Sequence, residues 1–296
     1  MKYYIGMDIG TSSTKAVLFD RLGHIHKTSS YEYDIITPKN GYAEEDPNDW
    51  KNAAISVLKD IALSVDPDEI RGIGLSGQMH GLVLLDKEDN ILRNSIIWCD
   101  NRTTKEAVEL EGFGRDRIRE ITGNNPMPAF TLAKLLWVKN NEPEIYAQID
   151  KVMLPKDYIR YVLTGQFKTE FSDASGMQMV DLKNECYSDE ILTYFDIERR
   201  ILPEIVESAE ITGTIKEEIA LETGIATTTF VVGGAGDQAA SAIGNGIVGT
   251  KDVSITLGSS GVVFASLKDL EIKNNGLQYF HHALPHKYHT MGVTNG

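Results

Sequence analysis

Cysteine is almost missing from this chain: Cys99 and Cys186 are the only two among 296 residues. Neither sits in a CxxC or Cys/His spacing, which excludes a disulfide scaffold and a cysteine-based metal site; two reduced thiols are expected. A chain of this size buries roughly three quarters of its unfolded surface and needs no covalent staple. Positive charge is scarce too, with 29 Lys+Arg against 43 Asp+Glu and a net charge of −14. No run of Lys and Arg offsets this, so a polyanion is repelled and nucleic acid is not the expected partner. Long apolar runs are lacking. The most apolar late stretch, Phe230 to Gly249, is broken by glycines and Asp237 and makes no membrane span. The opening MKYYIGMDIG enters a strand directly, without the apolar region of a secretion signal. There is no Pro- or Ser-rich linker and no internal repeat. Together these absences predict a soluble, cytoplasmic chain of ordinary globular composition, 42% hydrophobic and 24% charged.

What is present alternates. Tyr3–Met7 and Thr14–Phe19 are apolar runs joined by a polar turn, and Ile25 to Tyr33 continues as an alternating strand. Trp50, Ala53, Ala54, Val57, Leu58 and Ile61 then recur at helical spacing, opened by Asp46 as N-cap and Pro47 at the first position. Strands are predicted at Ile70–Leu75, Leu82–Leu85 and Ile96–Trp98. The middle, roughly residues 103 to 220, reads as mostly helical, and Thr228–Val232 returns as a strand before a helix over Asp237–Ile243. His281 to Thr294 reads as ordered strand and turn. An antiparallel start followed by alternating elements predicts an α/β fold with a mixed sheet, flanking helices and a helical insertion.

Four glycine-containing stretches offer themselves as phosphate cradles. Gly72-Ile-Gly74-Leu-Ser-Gly77 has the letters of a dinucleotide fingerprint but lies within a strand, with no helix start after it. Those glycines are expected to permit close approach of backbone or ligand. Gly234-Ala-Gly236-Asp-Gln238 lies between a strand and a helix, with Asp237 where a pyrophosphate would sit. Asp237 is therefore either a helix cap or a carboxylate held at a cleft, ready to accept a proton or a sugar hydroxyl. Leu257-Gly-Ser-Ser-Gly261 and Asp8-Ile-Gly-Thr-Ser-Ser13 each follow an apolar strand and offer backbone N–H groups with hydroxyls. Singly they read as hairpin turns; facing each other they would be two halves of a phosphate clamp. Trp98 and Trp137 are expected in the core, His80 either packs or contacts a ligand, and Asp100 with Arg102 is a candidate ion pair shaping a pocket.

In this order, these residues resemble the FGGY family of carbohydrate kinases. The resemblance is carried by Asp8-Ile-Gly-Thr-Ser13, Ser76-Gly-Gln-Met-His-Gly81, Trp98-Cys-Asp-Asn-Arg102, Phe130 to Trp137, Leu154-Pro-Lys-Asp157, Gly234 to Gln238 and Leu257 to Gly261. Gln78 to Gly81 and Leu154 to Asp157 are most similar to the xylulokinase branch. The resemblance implies the ribonuclease-H-like actin/Hsp70/sugar-kinase fold and ATP-dependent phosphorylation of D-xylulose to D-xylulose 5-phosphate. Ribulose, gluconate or glycerol as substrate, or a non-catalytic sugar-binding module, are the alternatives.

The resemblance further implies Asp237 as general base and Asp8 at the phosphate and Mg²⁺ side. Met79, His80, Asp237 and Gln238 match sugar contacts. Thr11, Ser12, Ser13 and Lys15 match the first phosphate loop, and Gly258, Ser259, Ser260 and Gly261 the second. Ser259 departs from the family's usual Thr there, keeping the hydroxyl. The expected cofactors are ATP and Mg²⁺, and the expected partners a sugar and ATP, with a homodimer left open. Residues 1–248 are expected to form the sugar-binding domain and 249–296 the start of a second, nucleotide-binding domain. Its adenosine-binding residues would lie beyond 296, so weak or absent turnover is expected of this chain alone.

Overall fold

The computed structural model describes residues 2–249, 252–257 and 260–295. β1 (Tyr3–Ile9), β2 (Ser13–Asp20) and β3 (Ile25–Glu32) form an antiparallel meander. Along β1, Tyr3, Ile5, Met7 and Ile9 are fully buried and the residues between them half-buried, the period-2 signature of a strand with one face on a core. Helix α1 (Pro47–Ala62) begins as its sequence predicts, Asp46 accepting a hydrogen bond from the Asn48 N–H and Pro47 filling the first turn. Trp50, Ala54, Val57, Leu58 and Ile61 of α1 join Ile5, Met7, Ile9 and Leu18 in one apolar core.

β4 (Ile70–Gly77) returns parallel to β1. The insertion follows with α2 (Thr104–Thr122), α3 (Thr131–Asn141) and α4 (Pro155–Thr164). The chain re-enters the sheet as β5 (Ile211–Thr214), β6 (Phe230–Val232) and β7 (Ala235–Gly236), then forms α5 (Asp237–Gly244). The seven-stranded sheet runs β5–β6–β4–β1–β2–β3, with β7 also pairing β4. β1, β6 and β7 each run parallel to β4, so the sheet is mixed. A second, four-stranded antiparallel sheet comprises β8 (Val253–Leu257), β9 (Ser260–Leu267), β10 (Gln278–His281) and β11 (Tyr288–Asn295), in the order β8–β9–β11–β10. A small cluster of Met79, Phe130, Phe280 and Met291 ties this sheet to the first. No helix of the described residues is long and apolar enough to cross a membrane.

Two expectations are corrected. The middle of the chain is less helical than expected. Short strands lie at Lys168–Glu170, Val180–Asp181, Cys186–Tyr187 and Glu204–Val206, besides β5. Pairings of two or three residues carry no readable period, and one of them joins segments far apart in sequence. The strand expected over Ile96–Trp98 ends at Ile96, which pairs with Glu44. Trp98 is consequently not in the core: its side chain is 46% exposed. Of the dinucleotide-like glycines, Gly77 serves backbone approach, Gly72 makes room for a side chain, and Gly74 is in ordinary contact. A Cβ on Gly72 would overlap the Phe230 ring, and one on Gly77 would come 3.1 Å from the Ile9 carbonyl oxygen.

Candidate functional site

The register of three parallel strands builds the centre of the site. Asp8 of β1 lies beside Ser76 of β4, and Ser76 beside Ala235 of β7. The next row is Ile9, Gly77 and Gly236. All three strands end here, at the carboxyl edge where open α/β sheets bind ligands. The Ser76 hydroxyl donates to Asp8 Oδ1 at 2.5 Å, fixing that carboxylate at the strand end.

Asp237 follows one residue later, at the start of α5. The cap is Gly236, with no side-chain cap bond, so the cap reading of Asp237 fails. The Asp237 carboxylate accepts instead from the Gln238 N–H at 2.6 Å. Its pKa is pushed up to about 6, chiefly by burial, against the Gln238 hydrogen bonds and with the negative charge of Asp8 adding to the rise. Two carboxylates that repel one another at the mouth of a sheet form an arrangement suited to a proton acceptor beside a cation site.

The turn after β1 is held from several sides. The Gly10 N–H donates to the Ser13 carbonyl at 3.0 Å, and the Tyr33 hydroxyl to the Gly10 carbonyl at 2.6 Å. The exposed Trp98 indole N–H donates to the Thr11 hydroxyl at 3.0 Å, which explains why this ring leaves the core. Beneath the turn, Gln78 and the Trp50 indole both donate to Glu45 Oε2, at 2.8 and 2.6 Å. Burial raises the Glu45 carboxyl to about 7, against those two hydrogen bonds.

On the far side of Asp237, Met79 and His80 are buried and Gln238 is half-buried. His80 adopts the left-handed conformation, with φ of 69°. Its Nδ1 lies 3.0 Å from the Gly176 carbonyl and its ring meets Phe130 edge-on at 4.8 Å. A Cβ on Gly176 would come 2.5 Å from His80 Nδ1. Gly176→Ala is therefore expected to displace the imidazole and to weaken any ligand that contacts His80 about tenfold or more, a displacement near 1 Å being costly in a positioned site. Calorimetric titration of a variant that still unfolds cooperatively measures this.

A wholly buried ionic cluster underlies the Asp237 turn. Lys156 Nζ lies 2.8 Å from Asp157, 3.6 Å from Glu170 and 3.5 Å from Asp173, and Arg160 pairs with Asp157 at 2.5 Å. The Ser172 hydroxyl donates to Glu170 and accepts from the Gly236 N–H at 3.1 Å, so the cluster reaches the cap of α5 directly. Arg160 donates to the Gly233 carbonyl at 2.7 Å in the same loop.

The profile described as the FGGY family of carbohydrate kinases, N-terminal domain, matches residues 3–244. The chain belongs to the FGGY family of carbohydrate kinases. The xylulose kinase of Lactococcus lactis is 41% identical over 296 residues, which are 99% of this chain and 59% of that protein. A solved xylulose kinase from Brucella ovis superposes with a TM-score of 0.94 at 41% identity, covering 98% of this chain and 60% of the other. A gluconate kinase from Lactobacillus acidophilus gives the same TM-score at 32% identity, covering 99% of this chain and 59% of that one. This FGGY chain thus spans about three fifths of the length of the relatives it matches.

Of the residues singled out in the sequence, the FGGY chain gathers Asp8, Thr11, Met79, His80, Asp237 and Gln238 around the strand ends. Ser12 and Ser13 lie in and just after the turn, and Lys15 is exposed on β2. Gly258 and Ser259 lie outside the described residues, while Ser260 starts β9 and Gly261 pairs with Leu257. Asp100 and Arg102 do form an ion pair, at 2.7 Å, which Glu44 shares. Sequence reasoning missed Ser76, Glu45, Gly176 and Lys134 as supports. None of them left a clear signal; Lys134 showed only as a lysine flanked by Leu132, Leu135 and Leu136 in α3.

Proposed function

We propose that the whole protein transfers the terminal phosphoryl group of ATP to D-xylulose, giving D-xylulose 5-phosphate and ADP. The observation that carries this reading is the row Asp8, Ser76, Ala235, with Asp237 raised to about 6 just beyond it. Its support for xylulose in particular is the name borne by the Lactococcus and Brucella relatives. In this reading the attacking sugar hydroxyl forms the new O–P bond while the bond to the ADP oxygen breaks, and Asp237 takes the hydroxyl proton. Its rise toward neutrality makes it a better acceptor than an ordinary carboxylate while leaving it ionised at pH 7.

The residues present fit a magnesium ion. Among the described residues no three His, Cys, Asp or Glu side chains are grouped to hold a metal. Mg²⁺ asks for less: it keeps most of its waters and binds through one or two carboxylates plus substrate phosphates. Asp8, with only Oδ1 engaged by Ser76, is the residue that would hold it, directly or through water. When bound, the ion neutralises charge on the phosphates. The turn of Thr11, Ser12 and Ser13 offers donors to the transferring group, and Lys15 supplies positive charge near them. Gly258, Ser259, Ser260 and Gly261 are proposed, on the resemblance, as the second set of phosphate donors.

We further propose that residues 1–248 are the sugar-binding domain and that 249–296 begin a nucleotide-binding one. The separate second sheet supports this division, as does the exposed apolar face of Val253, Ile255 and Leu257 on β8. The Lactobacillus gluconate kinase favours a second reading, the same chemistry on gluconate. Calorimetric titration with D-xylulose, L-ribulose, gluconate and glycerol separates the readings. Saturable binding that prefers D-xylulose and is lost in Asp237→Ala is expected. Preference for gluconate would keep the fold and the carboxylate pair and replace the substrate.

A further inference from the structure

Helix α3 buries a cation that makes no ion pair among the described residues. Lys134 is 0% exposed, and its Nζ donates to two main-chain carbonyls, His80 at 2.7 Å and Ala129 at 2.5 Å. Thr131, one turn earlier on the same helix, also donates to the His80 carbonyl, at 3.2 Å. Sequestering an ammonium group in this way is expensive. Burial lowers its pKa to about 7, with Asp100 acting in the opposite direction. The residue it grips is itself strained, because a histidine at φ 69° occupies a region that L-residues avoid. Two donated bonds from one helix thus converge on one oxygen, the strained residue's own carbonyl, while the third ties the ammonium to Ala129 just before that helix.

The His80 ring is specified with equal care. A carbonyl can only accept, so the 3.0 Å contact to Gly176 requires a proton on Nδ1. Burial, and then the charge of Lys134, hold the imidazole neutral, with a pKa lowered to about 3. A neutral ring protonated on Nδ1 has a bare lone pair on Nε2. Phe130 and Phe280 flank the ring, edge-on at 4.8 Å and tilted at 6.2 Å.

We propose that Lys134 is a positioning residue that fixes His80 as an obligate hydrogen-bond acceptor. The site then takes a polyol whose hydroxyls donate both to His80 Nε2 and to the Asp237 carboxylate. This rests on the sugar-site reading given above and narrows it. A ligand group that only accepts, such as a carbonyl, a carboxylate or fluorine, is disfavoured beside His80, because two lone pairs would face each other without a proton.

Two measurements test the proposal, and the first needs no sugar. Long-range ¹H–¹⁵N correlation of the histidine rings is expected to show His80 as the neutral Nδ1–H tautomer across pH 5 to 8; an Nε2–H tautomer or an imidazolium in that range overturns the assignment. The second is the Lys134→Met variant of the whole protein. Loss of a charge-assisted bond predicts a rise in sugar KM of about tenfold, with the nucleotide KM changed less than about twofold. An unchanged sugar KM, or equal losses for sugar and nucleotide, overturns it. Should Lys134→Met fail to fold, Thr131→Val removes the weaker bond to the same carbonyl. A sugar-specific rise of about threefold is then expected, and no rise overturns the proposal. If the tautomer stands while no sugar binds, the fault lies with the sugar-site reading and not with the role of Lys134.

Discussion

Replacing Asp237 by Asn is expected to lower kcat of the whole protein by about 10²–10⁴-fold, the contribution of a positioned proton acceptor. The amide keeps the size of the carboxylate and its place after Gly236, so sugar affinity should change far less than turnover. A loss below about tenfold would remove Asp237 from the proton transfer. The pH profile supplies an independent check. Because the base must be ionised, kcat/KM is expected to fall about tenfold per unit below pH 6, the value to which Asp237 is raised. Stability moves in the opposite sense. The folded-state value lies above the ordinary 3.8, so between these values the native chain holds a proton that the unfolded chain has released. This group therefore favours folding below pH 4, and that contribution is lost as pH rises through 6. Activity climbing where this stability contribution declines is what a site built for function would show.

How far the site was readable depends on whether its determinants are local. Helix α1 was legible in full, since Trp50 to Ile61 repeat every turn and Asp46-Pro47 marks the start. Asp8, His80 and Asp237 were legible as chemistry at the ends of strands. Their assembly was not. The row Asp8, Ser76, Ala235 comes from parallel pairings between segments that share no local pattern, and the hydroxyl that fixes Asp8 lies 68 residues away in the chain. Trp98 was misread because residue type alone favours burial. Its position is set by where the strand stops, at Ile96, and by a hydroxyl on Thr11 that only the fold brings near. Lys134 was hidden for the converse reason: a lysine in a helix reads as its solvent face, although Leu132, Leu135 and Leu136 around it are all buried. The turn after β1 was legible as a set of donors, whereas the Tyr33, Gln78 and Trp98 bonds that hold it arrive from three other segments.

Lys156→Met is expected to destabilise the chain by about 3–5 kcal/mol, the cost of breaking a buried ionic group by removing one partner. Lys156, Asp157, Glu170 and Asp173 are all fully buried, so water cannot screen the three carboxylates once the ammonium is gone. Burial opposes the Lys156 charge, but those carboxylates outweigh it and raise its pKa. With Arg160 included, two cations face three acids, and the cluster balances if one acid is protonated. Asp173 is the candidate. Neither of its oxygens has a hydrogen-bond partner among the described residues, and burial raises its pKa well above the ordinary range, Lys156 acting against the rise. Glu170, in contrast, is bonded by Ser172 and Ser208 and by two backbone N–H groups. Asp173→Asn should then cost less than about 1 kcal/mol, because an amide replaces an acid that is already neutral. In the double variant, Asp173→Asn should restore part of the stability lost with Lys156, since one fewer acid faces the vacancy. Denaturant titration of the two single variants and the double decides the matter. Equal losses for Lys156→Met and Asp173→Asn would mean that Asp173 is ionised and that the cluster carries its full negative charge beneath Gly236. The electrostatic setting of Asp237 would then be harsher than the balanced cluster implies, and its acid limb should shift upward in the Lys156→Met variant.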